Sequence, residues 1–62
     1  MKVNSIVRLK DRLEVTPLNY VDKGAIGIVV DITVPNYARV KFQGDYYGAY
    51  WIDMEHLELI GE

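Results

Sequence analysis

Residues 24–42, GAIGIVVDITVPNYARVKF, constrain this chain more than any other stretch. Two glycines three apart open a run of β-branched residues, a Pro-Asn pair interrupts it, and a second alternating run follows. β-Branched side chains favour extended backbone. Proline fixes φ at the second position of a turn, and asparagine tolerates the left-handed region at the next. The segment therefore reads as one β-hairpin. A helical alternative fails, because glycines recur at 24, 27, 44 and 48 and no window sustains a 3.6-residue period.

The flanking sequence extends this into five short strands. The first covers residues 5–9, where Val7 and Leu9 alternate with Arg8 and Lys10. From residue 10 to residue 23 the alternation decays around Pro17, Asn19 and Asp22, which reads as a long irregular loop, and loops of that length in small domains often carry function. The second strand, residues 26–33, is expected to turn Ile28, Val30 and Ile32 to the core and Val29 and Asp31 outward. In the third, residues 37–42, Ala38, Val40 and Phe42 should face inward against Arg39 and Lys41, so that Val30 and Val40 are buried on facing strands. After a turn at Gln43, Gly44 and Asp45, a fourth strand spans residues 46–52. It carries Tyr46, Gly48, Tyr50 and Ile52 on one face and Tyr47, Ala49 and Trp51 on the other. A strand apolar on both faces must cover something besides its own core. Residues 53–56 suit a single helical turn capped by Asp53, and a last strand, residues 57–60, closes the sheet.

A chain of 62 residues permits one domain with a small core. Half the residues are hydrophobic and 26% are charged, which is ordinary for a folded protein. The absence of cysteine excludes disulfides and thiolate metal sites and suits a reducing, cytoplasmic setting. No continuous apolar run marks a membrane span. Net charge is −2, seven basic residues against nine acidic, which disfavours sequence-independent nucleic-acid binding. Lys2, Arg8, Lys10 and Arg12 lie early, while Asp53, Glu55, Glu58 and Glu62 lie late. This allows one basic edge and one acidic edge, unless pairing of the terminal strands neutralises them mutually.

Taken together, an all-β layout of five strands, a long first loop and one short helical turn before the last strand resembles an SH3-like barrel. The segment Lys23, Gly24, Gly27, Val29, Ile32, Val40 and Phe42 resembles KOW-type barrels of ribosomal and transcription-associated proteins. Residues 40–59, VKFQGDYYGAYWIDMEHLEL, are similar to the C-terminal half of the small photosystem I accessory subunit, and residues 51–60 to the end of a signalling SH3 domain. These resemblances imply a fold and leave function to the residues themselves. An SH3 peptide groove uses an acidic, aromatic first loop and a tryptophan near the start of the third strand. Here the first loop offers only Tyr20 and the third strand opens at Tyr37, so recognition of proline-rich peptides is not expected.

Candidate sites are few. His56 is the only histidine, and with Asp53 and Glu55 it reads as a solvated turn rather than a metal site, which would need more nitrogen or sulfur ligands. Ser5, Thr16 and Thr33 fall in separate elements with one histidine to serve them, so no nucleophile, base and orienting group come together. Gly24 and Gly27 open a strand, whereas phosphate-cradling glycines open a helix; they read as turn and close-approach glycines. The aromatic group is the more informative set, since tyrosine and tryptophan offer rigid contact area with a polar tip. Tyr50 or Tyr46 is expected in the core, and Tyr47 and Trp51 on an interaction face flanked by Arg39 and Lys41.

The expectation is therefore a non-catalytic interaction module of one domain, residues 1–62, such as an adaptor, assembly subunit or small inhibitor. It would bind another protein through Tyr20, Tyr37, Arg39, Lys41, Tyr47 and Trp51, without cofactor or membrane, as a monomer or small homo-oligomer. Nucleic acid is the second partner class, with Arg8, Lys10, Arg39 and Lys41 on phosphates and Tyr47 or Trp51 stacking on bases.

Overall fold

The computed structural model describes residues 1–44 and 48–61. Its strands are β1 (Ile6–Leu9), β2 (Leu13–Thr16), β3 (Asn19–Val21), β4 (Ile26–Asp31), β5 (Tyr37–Phe42), β6 (Tyr50–Asp53) and β7 (Leu57–Gly61), with a 3-10 turn at Met54–His56. Five of them form one curled antiparallel sheet in the order β6-β5-β4-β1-β7, and β2 and β3 pair as a separate hairpin. The protein is all-β.

Alternation in β5 produces the inner face as expected: Ala38, Val40 and Phe42 are buried between exposed Tyr37, Arg39 and Lys41. With Val7, Leu9, Val21, Val29, Ile52 and Leu57 they make the core. The Pro35-Asn36 turn also forms as read. Tyr37 N–H donates to the Val34 carbonyl at 3.1 Å, and Asn36 takes a positive φ of 67°, the backbone of a type II turn. Before β7, the Asp53 carboxylate accepts the Glu55 N–H at 3.0 Å and so caps the short turn. The terminal strands neutralise each other in part, since Arg8 and Glu58 lie opposite in the β1–β7 register and form an ion pair at 2.8 Å.

β4 corrects the expected facing. Val29, not Val30, is fully buried, while Ile28 and Val30 are each 43% exposed on the outer surface. The inner phase is set by Gly27. A Cβ there would stand 2.5 Å from Val40 Cγ1 and 2.9 Å from the Lys41 carbonyl oxygen, so any larger residue forces its neighbours to shift, and Val29 follows on the same face. A register shift between Val29 and Asp31 then inserts one extra residue. Such a bulge reverses the phase, which is why Ile32 packs against the core as expected although Val30 does not.

Two further boundaries differ. The segment expected as a long irregular loop contains the β2–β3 hairpin, with Leu13 opposite Val21 and Thr16 opposite Asn19, so that Pro17 and Leu18 form its tip. Val21 is completely buried and Leu13 packs on the core. The hairpin therefore serves as a lid on the inner face of the sheet. The fourth strand of the sequence reading begins later than expected, at Tyr50: Gly48 has a φ of 73° and Ala49 is not in a strand. Asp45, Tyr46 and Tyr47 lie outside the described residues.

Candidate functional site

Register places the candidate residues. Tyr37 stands opposite Asp53 and Arg39 opposite Trp51 on β6, while Lys41 stands opposite Ile28 on β4. Directly opposed residues share a face of the sheet. Tyr37, Arg39, Lys41 and Trp51 therefore come together on the outer face. Trp51 is 41% exposed there, and Tyr50, pointing the other way, packs against the core. Tyr20 is not part of this face: it lies on β3 opposite Glu14, with the Arg12 guanidinium stacked over its ring at 3.9 Å. Tyr47 lies outside the described residues.

A cleft of about 310 Å³ joins these two regions, lined by Leu13 and Glu14 of the hairpin and by Ala49, Tyr50 and Trp51 of the main sheet. Its wall is aromatic and aliphatic, and among the described residues Glu14 is the one charged side chain that lines it. The first-loop region and the fourth strand of the sequence reading thus do meet, but through Leu13 and Glu14 rather than through Tyr20. A second hollow of about 280 Å³, lined by Asn36, Asp53, Met54 and Glu55, opens at the far end of β6.

Of the two cations flanking the outer face, Arg39 has an anionic neighbour and Lys41 stands opposite Ile28. Arg39 stands opposite Asp31. The Asp31 carboxyl is held below its usual range, first by the Thr33 N–H that it accepts at 2.8 Å and further by the charge of Arg39. Arg8 and Glu58 each hold the other charged, the guanidinium raised and the carboxyl lowered, chiefly by their hydrogen bond.

Three exposed aliphatic residues on the same outer face were missed by the sequence reading: Ile6, Ile28 and Val30. Ile6 and Ile28 are direct partners in the β1–β4 register. The signal that could have found them is Gly27, whose close contacts fix the opposite phase of β4 as the inner one. Glu14 was missed because the run Leu13, Glu14, Val15 was absorbed into a loop, although it alternates.

The His56 Nδ1 lies 3.5 Å from an Asp11 carboxylate oxygen, both well exposed. Among the described residues, no group of three or more His, Asp or Glu side chains is placed to hold a metal ion, and no helix is long and apolar enough to cross a membrane. Comparison with protein-family models, curated proteins and solved structures returns no match, so the functional reading rests on the chain's own residues.

Proposed function

We propose that this chain is an SH3-like barrel acting as a non-catalytic module that binds another protein at the cleft between the β2–β3 hairpin and β6. The strand order and the 3-10 turn before the last strand support the barrel, with the hairpin in the place of the long first loop and lying over the open side of the curled sheet. The observation that carries the function is the position of Trp51, which lines the cleft and is part of the outer face beside Arg39. A tryptophan left 41% exposed where a cleft opens is an anchor without an intramolecular role equal to its size.

Nucleic acid ranks second for an electrostatic reason. Arg8 is ion-paired with Glu58 and Arg39 is set against Asp31, which engages two of the four cations that this reading would place on phosphates. Selection from a displayed peptide library separates the readings. The protein should enrich peptides whose binding is lost in Trp51→Ala and kept in a variant of an exposed residue away from the cleft, such as Lys23→Ala. Submicromolar, steeply salt-dependent binding to a short oligothymidine, with no peptide enriched, would replace the first reading by the second.

A further inference from the structure

Among the described strands, β6 is a terminal strand of the sheet, bonded on one side only. Its register with β5 fixes which of its backbone groups are free. Met54 N–H donates to the Asn36 carbonyl at 3.0 Å. Antiparallel ladders alternate bonded and non-bonded pairs, so the next bonded pairs are Ala38 with Ile52 and Val40 with Tyr50. Trp51 therefore turns its N–H and carbonyl away from β5, and Asp53 turns its N–H the same way. These groups point along the free edge, and the cleft runs beside that edge with Leu13 and Glu14 as its other wall.

From this geometry we infer that the cleft takes an extended, cation-bearing peptide segment of a partner protein as an added strand on β6. The inference rests on the reading of Trp51 as a binding residue and adds the mode and the chemistry of the ligand. An incoming strand satisfies the outward groups of Trp51 and Asp53 by main-chain hydrogen bonds, and its alternate side chains fall on two sides. One set meets Leu13 and Tyr50, which pack toward the core, and calls for aliphatic residues. The other set meets exposed Glu14 and Trp51. A lysine or arginine there gains both the carboxylate and the indole face. Among the described residues Glu14 has no ion pair, and the neighbouring cation, Arg12, is engaged over the ring of Tyr20, the residue opposite Glu14. Charge also argues against a second copy as the added strand: β6, sequence YWID, carries Asp53 as its only charge and offers Glu14 no cation.

The test uses a capped octapeptide of alternating lysine and valine. Its binding should shift the emission of Trp51, the only tryptophan, and slow amide exchange at Trp51 and Asp53 at least about tenfold at saturation, with Tyr50 and Ile52 little changed. N-methylation of alternate peptide amides should abolish binding. Glu14→Gln should weaken it by up to about fivefold, the upper end of the range for one exposed ion pair, and a glutamate-valine octapeptide should not bind. An emission shift without protection of the Trp51 and Asp53 amides would overturn strand addition while leaving Trp51 a binding residue. Equal binding of the glutamate-valine peptide would overturn the cationic requirement. Concentration-dependent protection of those two amides without peptide would assign the edge to a second copy and overturn the proposal. No response to any octapeptide at millimolar concentration would likewise overturn it, and the library selection with Trp51→Ala decides the broader reading independently.

Discussion

At Val29 and Val30, neighbours of identical chemistry, burial differs completely: Val29 is fully buried and Val30 is 43% exposed. Val29→Asp should leave no folded population, because an unpaired buried carboxylate costs several kcal/mol and a core of this size supplies only about 3–5 kcal/mol in all. Val30→Asp should melt within a few degrees of the parent. Circular dichroism melts of the two variants check this, and equal damage from both would refute the facing of β4. Gly27→Ala tests the same strand from its inner side. Its new methyl meets Val40 Cγ1 and the Lys41 carbonyl, and the backbone atom cannot rotate aside. Overpacking of this kind should cost about 1–3 kcal/mol in urea denaturation.

Among the elements, β5 was legible in the sequence because charge marks its outer face: Arg39 and Lys41 leave no doubt about Ala38, Val40 and Phe42. β4 was not, since IGIVVD is apolar on both faces, and the residue that decides its phase, Gly27, has no hydrophobicity to reveal it. The hairpin was hidden by its own turn. Pro17 and Asn19 look like breakers of alternation, yet they sit at and beside the tip that folds β2 onto β3. Because Val21 is fully buried, Val21→Ala should destabilise the whole domain by about 1.5–3 kcal/mol, with the urea m-value unchanged, rather than loosening the hairpin alone. The acid response belongs to this scale too, because it reports the β4 and β7 ends. Asp31 and Glu58 have carboxyls held below their unfolded-state range. The stability they contribute is therefore present above that range and declines as pH falls from about 5 through their folded-state values. Urea midpoints measured from pH 7 down to pH 3 should fall, and the fall should be shallower in Asp31→Asn.

For the whole molecule, the sheet has one inner face, and the hairpin and the 3-10 turn lie with it, so a second apolar set must remain outside. That much followed from the sequence through the two-faced run around Tyr50 and Trp51. The cleft did not, because it depends on where Leu13 and Glu14 of the hairpin come to rest, a long-range packing outcome that local alternation does not encode. The central claim is that Trp51 belongs to a binding surface and not to the structure that holds the domain together. The unfolding free energy of Trp51→Ala, from urea denaturation followed by circular dichroism, tests it most directly. A half-exposed tryptophan should cost under about 1.5 kcal/mol and leave a cooperative transition, whereas truncation of a buried one costs about 3–5 kcal/mol, enough to unfold a domain of this size. A folded Trp51→Ala close to parental stability is the predicted result, and an unfolded chain or a loss of 3 kcal/mol or more would contradict the account.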